Sequence, residues 1–388
     1  MNGIKINDQG LQTLLKELIQ IKSVNPDLSK KGNGEREIAQ YIGRYLEGLG
    51  LSVHYQDLKK NRMNVVGVYK GRGGGQTIML NGHTDTVGVD RMEIEPFVPE
   101  YRDGRVYGRG SLDMKGGVAA QIMAVQSLLE SQVDLKGDVI LTFVADEEYK
   151  SIGTEAVLKE YTADAAVICE PTNLRIVIAH KGFSWITIEV FGRAAHGSLP
   201  GRGVDAIIKA GKVLTEIENL ESHVLMQKKH PLLRSPSIHA SLISGGIELS
   251  TYPDYCKIEL ERRTLPGEDQ ATVTQEMDEI LKAIKARDNQ FKADFDVFLT
   301  RPAYEVSREE PIIQSLIRAY QVTLDEEPQF RGVGGWLESA LLAEAGIPTV
   351  IFGPSGEGAH ASVEYVDFDS VMRTTEVLIQ LIIDFCNG

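Results

Sequence analysis

At 388 residues the chain exceeds one ordinary domain of roughly 100–200 residues, and its 42% hydrophobic content points to a globular core. A formal net charge of −14 argues against a nucleic-acid partner, because a phosphate backbone needs a basic face. No apolar run approaches the ~20 residues that span a bilayer, no secretory signal is legible, and three widely spaced cysteines (Cys169, Cys256, Cys386) suit a reducing cytoplasm.

In chain order, residues 1–24 suggest an amphipathic helix ending before Asn25-Pro26. Residues 34–50 suggest a second, with Ile38, Tyr41, Ile42, Tyr45 and Leu46 on one face. LSVHYQ and NVVGVYKG read as strands, and TIMLNGHTD (77–85) as a buried strand ending in polar residues. VAAQIMAVQSLLES follows as a helix, then DVILTFVADEE and AAVICEP (165–171) as buried strands. This alternation predicts an α/β domain of three layers, in which ligands collect at the carboxyl ends of the strands. Around 178–180 the rhythm changes to β-α-β-β-α-β, beginning with FSWITIEVFG and closing with FKADFDVFL, the order of a ferredoxin-like split unit. After Arg301-Pro302 the α/β style returns, with helices at PIIQSLIRAYQVT, WLESALLAEAG and DSVMRTTEVLIQLIIDF. The expected organisation is an outer domain, 1–178 plus 300–388, with an α+β domain, 179–299, inserted into it.

Two histidines and five carboxylate positions stand out: His83-x-Asp85, Asp113, Glu147-Glu148, Glu170 and His360. Most end apolar strands, where a carboxylate needs a charge partner. A pair of divalent metals supplies one. Residues i and i+2 share a strand face, so His83 can ligate while Asp85 holds its other ring nitrogen. Asp113 lies in GRGSLDMKGG, a glycine-rich loop entering a helix. A helix cap is the plain alternative there, although Ser111 serves that purpose equally well, and the glycines miss the dinucleotide and phosphate-loop spacings. An acidic pair such as Glu147-Glu148 is usually solvated, but this one ends an apolar strand, where one member can ligate and the other accept a proton from water.

These motifs resemble the di-zinc amidohydrolases and exopeptidases that include acetylornithine deacetylase, succinyl-diaminopimelate desuccinylase, aminoacylase and glutamate carboxypeptidase. The resemblance spans essentially the whole chain and rests on NGHTDTV, GRGSLDMKGG, ADEEYKSIGT, ICEPT, AAHGSLPGRGVDA, ERRTLPGED and GIPTVIFGPSGEGAHASVEYV. It implies a catalytic domain with a central mixed sheet, interrupted by an inserted ferredoxin-like dimerisation (lid) domain. It implies two divalent metals, zinc by preference, with cobalt or manganese also able to bind. His83 and Glu170 hold one, Glu148 and His360 the other, and Asp113 bridges them, followed by a cis peptide to Met114. Asp85 orients His83, and Glu147 is the general base. His196 reaches across a homodimer to the oxyanion, and Arg263 binds a substrate carboxylate with its bidentate fork. Arg262, one residue away on a strand, is expected to face solvent. The late W-T-D-A of many relatives is Trp336-Leu337-Glu338-Ser339-Ala340 here, a change that bears on the substrate.

The resulting expectation is a cytoplasmic enzyme that hydrolyses N-acyl amino acids or similar small amides, with no nucleic-acid or membrane partner. A dipeptidase or carboxypeptidase uses the same machinery. A non-catalytic binding protein on a decayed hydrolase scaffold is the reading from a different class.

Overall fold

The computed structural model describes residues 4–388. The helix expected over 1–24 is Asp8–Gln20, with residues 1–3 outside the described range. Leu11, Leu14, Leu15, Leu18 and Ile19 form its buried stripe, and the Asn7 side chain caps its start by accepting from the Gly10 amide. The second helix, Arg36–Gly48, buries Ile38, Ile42 and Leu46. Tyr41 and Tyr45 sit at the margin of that face, where each hydroxyl donates to a partner, Glu17 and Gln126. The chain divides into two compact units, one holding the residues up to Ile178 with Val306–Arg331 and Leu337–Gly388, the other Ala179–Glu305 with Gly332–Trp336. Among the described residues no helix is long and apolar enough to cross a membrane, and all three cysteines are free and buried.

The first unit is built on a mixed sheet in which the strands Ser52–Lys59, Arg62–Tyr69, Val139–Val144, Ile78–His83, Ala165–Ile168 and Thr349–Ile351 follow one another in that order. The four strands from Val139–Val144 to Thr349–Ile351 run parallel to one another. Every residue of Val139–Val144, Ile78–His83 and Ala165–Ile168 is buried. Side chains alternate across a sheet, so burial without alternation means cover on both faces, the three-layer arrangement. His83 ends one of these four strands, and Glu147, Glu148, Glu170 and His360 lie beyond the carboxyl ends of the other three. A smaller sheet, not legible in the periodicity because its strands have two or three residues each, pairs Arg105–Tyr107 with Tyr365–Asp367. It joins the 108–113 loop to Glu364.

The second unit is an antiparallel sheet ordered Ser237–Gly245, Tyr255–Thr264, Gly182–Phe191, Lys292–Arg301, with helices Ala206–His223 and Gln270–Arg287. Gly182–Phe191 alternates strictly between buried and half-buried residues. Its inner side chains Ile186, Ile188 and Val190 pack with Ala210, Val213 and Ile217 of one helix and Met277 and Ile280 of the other. The same alternation overturns the expectation for Arg262. It falls on the inner face with Ile258 and Leu260 and is fully buried. Its Nε donates to Glu276 Oε2 at 2.9 Å, and its Nη2 to Glu276 Oε1 at 3.0 Å and Glu268 Oε1 at 3.2 Å.

Removing one member of such a buried pair strands the opposite charge, at a cost of about 3–5 kcal/mol. Arg262→Ala is therefore expected to lower the stability of this unit by about 3 kcal/mol. Both tryptophans, Trp185 and Trp336, belong to the second unit, so tryptophan fluorescence in a guanidinium titration reports on it. A loss below about 1 kcal/mol, the worth of a surface pair, contradicts the structural reading.

Candidate functional site

His83 is the last residue of its strand, and Glu147-Glu148, Glu170 and His360 follow three neighbouring parallel strands. Asp113 comes from the loop preceding helix Gly116–Glu130, and the Asp113–Met114 peptide is cis. Neither Asp113 nor Ser111 caps that helix. Two ligand groups result, each with its donor atoms within 4.8 Å of one another: His83, Asp113, Glu170 and Asp113, Glu148, His360. His83 Nε2 lies 3.1 Å from Asp113 Oδ1 and 3.4 Å from Glu170 Oε1. His360 Nε2 lies 2.9 Å from Glu148 Oε2 and 3.3 Å from Asp113 Oδ2. Asp113 thus turns one oxygen to each group. Glu147 belongs to neither, but its Oε2 stands 4.0 Å from His83 Nε2.

The charges show what this set lacks. Burial pushes the carboxyls of Glu147 and Glu170 well above the usual range, helped by the charges of Glu148 and Glu338 on both, of Glu170 on Glu147 and of Asp113 on Glu170. Burial and the charge of Asp113 push Glu148 up to about 7. Burial opposes the ionisation of Asp113 too, but hydrogen bonds from His360 and His83 outweigh it and hold that carboxyl low. Hydrogen bonds to Asp113 and Glu148 raise His360 to about 10. Burial works to lower His83, yet the Glu170 charge and the bond to Asp113 hold it well above its ordinary value. Imidazoles and glutamates alike retain protons, the mark of a site short of positive charge. Histidine nitrogen and carboxylate oxygen in two three-residue groups, with that deficit, fit divalent cations.

Asp85 does more than face His83. The His83 Nδ1 contact, at 3.0 Å, is with the Asp85 main-chain carbonyl, and the carboxylate stands 3.6 Å away. A proton on Nδ1 leaves Nε2 free to ligate. The Asp85 carboxylate instead accepts from the Glu147 amide (3.1 Å), the Glu148 amide (3.3 Å) and Asn25 Nδ2 (2.8 Å), and so fixes the backbone of the acidic pair. Asn25 Nδ2 also donates to Asp146 Oδ1 at 3.0 Å. Arg62 donates to Asp146 at 2.7 Å, Glu35 at 2.6 Å and Asp27 at 2.8 Å. Asp146 itself adopts a left-handed φ of 73°, the bend that turns the strand end into the site. Glu364 plays the equivalent part for Asp113. It is buried and accepts from the amides of Gly110 (2.9 Å), Leu112 (2.9 Å) and Asp113 (3.1 Å) and from Arg109 Nη1 (2.6 Å). Lys115, also buried, donates to the Leu18 and Ile21 carbonyls, both at 2.9 Å, and burial lowers its ammonium to about 7. Asn25, Arg62, Glu364 and Lys115 were not singled out as site residues by periodicity or spacing. The one available signal was Asn25-Pro26, legible only as a helix stop.

His196 and Arg263 belong to the second unit. His196 is exposed, with Nδ1 2.8 Å from Ser198 Oγ. Arg263 is half-buried; its Nε donates to Glu261 Oε1 at 2.6 Å, and its guanidinium lies 5.2 Å from the Phe183 ring centre. Glu338, in the first unit, is buried, its Oε1 lacks a hydrogen-bond partner, and burial raises its carboxyl to about 7. The helix expected from Trp336 onward begins only at Ser339.

The profile of peptidase family M20/M25/M40 matches residues 79–384. The chain belongs to that family. M20/M25/M40 membership makes it a hydrolytic enzyme acting on amides. It is 28% identical over 361 residues to an acetylornithine deacetylase of Myxococcus xanthus, covering 90% of this chain and 92% of the relative. It is likewise 28% identical over 422 residues to an N-formyl-4-amino-5-aminomethyl-2-methylpyrimidine deformylase of Halalkalibacterium halodurans, covering 98% and 96%. In fold it is similar to the crystal structure of an aminopeptidase from Bacillus cereus, with TM-score 0.82 at 21% identity over 99% and 100% of the two chains.

Asn25 gives the M20 site its plainest test. Asn25→Leu keeps the volume but removes the donor shared by Asp85 and Asp146. Hydrogen bonds to charged groups contribute about 1.5–3 kcal/mol, so amide hydrolysis is expected to fall about 10–100-fold, with kcat carrying the loss. Unchanged kcat in a folded variant contradicts the role given to this residue.

Proposed function

We propose that the enzyme hydrolyses the amide bond of an N-acyl amino acid or a similar small amide. The observation that carries this reading is the division of the Asp113 carboxylate between two ligand groups, with Glu147 a member of neither but 4.0 Å from His83 of the first. In this reading His83, Asp113 and Glu170 hold one divalent cation and Asp113, Glu148 and His360 a second, zinc by preference or cobalt or manganese. When bound, such a pair polarises the scissile carbonyl and makes a nearby water more acidic.

The remaining steps fall to the chain's own side chains. The Glu147 carboxylate takes a proton from the attacking water as its oxygen bonds to the carbonyl carbon. The same carboxyl then delivers that proton to the nitrogen as the C–N bond breaks, leaving a carboxylate and an amine. The hydrogen bonds of Asp85 to the amides of Glu147 and Glu148 support this assignment, because they hold the base in place before substrate arrives. Glu338 adds negative charge beside Glu147 and Glu170, which favours a protonated Glu147 once the proton has been taken.

We assign His196 to stabilising the oxyanion and Arg263 to binding a substrate carboxylate, for which its planar fork is suited. Dimerisation is assigned to the second unit. In its support, the edge strand Ser237–Gly245 leaves Leu242 63% and Ile243 54% exposed, and Ile247 and Leu249 beyond it are more exposed still. The deacetylase and deformylase named above favour small N-acyl compounds as substrates.

A panel of N-acetyl, N-formyl and N-succinyl amino acids set against dipeptides tests the substrate class, with turnover expected on the acyl series. Turnover confined to dipeptides overturns it. Within the same assay Glu147→Gln is expected to lose at least about 100-fold in kcat, the lower end for a general base, while retaining bound metal. Normal turnover in that metal-loaded variant removes Glu147 from the mechanism.

A further inference from the structure

We propose that a cavity of the first unit, bordering His360, is an anion subsite that receives a carboxylate carried on the acyl side of the substrate. This inference rests on the amide-hydrolase reading of the neighbouring site.

The cavity has a volume of about 700 Å³, within the usual range for small-molecule sites. Its polar wall is basic, carrying Lys30, Lys31, Arg91 and Arg109 against a single acid, Asp90. Two of these cations are already engaged. Arg109 is buried, pairs with Glu364 at 2.6 Å and donates to the Ala361 and Gly88 carbonyls at 3.0 and 3.4 Å, so it shapes the wall. Lys31 pairs with Asp90 at 2.9 Å. Lys30 and Arg91 are exposed, and neither has a carboxylate partner among the described residues.

Two uncompensated cations at this place run against the character of the molecule. The chain carries −14 overall, and the groups next to His360 are themselves acids. An anionic substrate approaching such a surface is repelled unless local positive charge opens a path and gives it an end point. The cavity provides both, and it shares His360 with the candidate metal groups. Its remaining wall includes Leu28, 44% exposed, and Val87, which suit the methylenes of a short aliphatic arm. Arg263 is assigned to the carboxylate of the amino acid, so a second anion belongs on the other side of the amide. The substrate class is thus a dicarboxylic acyl group on an amino acid, rather than a neutral or cationic acyl group.

The test is the Lys30→Ala/Arg91→Ala double variant, both positions being exposed, with steady-state kinetics on N-succinyl-alanine, N-butyryl-alanine and N-butyryl-aspartate. Two lost charge contacts are expected to lower kcat/KM for the succinyl compound about 10–100-fold, mainly through KM, and to leave both butyryl compounds within about 2-fold. Equal losses on all three, or none, overturn the subsite. A loss confined to N-butyryl-aspartate overturns its assignment to the acyl side. Glutarate binding by calorimetry to the metal-loaded enzyme separates this inference from the reading on which it rests. Binding weakened at least about 10-fold in the double variant supports the subsite even if no acyl amino acid is turned over, an outcome that sinks only the hydrolase reading. Equal glutarate affinity in the two proteins overturns the subsite whatever the kinetics show.

Discussion

Desolvated negative charge is the constraint around which the first unit is arranged. Asp113, Glu147, Glu148, Glu170 and Glu338 share a small volume with His83 and His360. Isolated carboxylates do not stay ionised in such a place; they bind protons, bind cations or are not there. The raised carboxyls of the glutamates and the raised imidazoles record that pressure. A pair of divalent cations would satisfy it, and in the proposed mechanism would leave Glu147 available as a base. The geometry that makes the site able to hydrolyse an amide is the same geometry that makes it unstable without positive charge.

Holding such a set in place requires a scaffold that does not give way. Parallel strands covered on both faces deliver four of its segments to one edge. Beyond them a ring of buried polar groups fixes the loops: Glu364 clamps the Asp113 loop through its amides, Asp85 clamps the acidic pair, and Asn25 and Arg62 tie Asp85 and Asp146 to the start of the chain. Buried ion pairs of this kind add little net stability, because desolvation offsets most of the attraction. Their value here is positional. They set atoms to within fractions of an ångström, the tolerance that catalytic groups demand.

Most of the seven candidate positions of the first unit were legible because they break a rule. A charged residue closing an apolar strand is locally inconsistent, and such inconsistencies gather at functional sites. The β-α-β-β-α-β rhythm of the second unit was legible from alternation alone. Residues of the supporting shell break no rule in the sequence. Asn25 after a helix, Glu35 before one and Arg62 at a hairpin read as ordinary surface polar residues, and only the fold brings them within 3.0 Å of Asp85 and Asp146 or of one another. Glu364 lies about 250 residues from the loop it clamps, so no local pattern links them. Arg262 shows the converse. An arginine in an alternating strand suggests solvent, but its strand parity points it inward, and Glu276 from the next helix makes that position tolerable.

The most direct test of the central claim is a metal count by mass spectrometry on the purified chain, wild type against Asp113→Ala. One carboxylate divided between two ligand groups predicts close to two divalent ions per chain in the wild type, and a loss of affinity at both sites in the variant. A wild type that is fully active with one ion or none, or a variant that keeps both ions at wild-type affinity, contradicts the account.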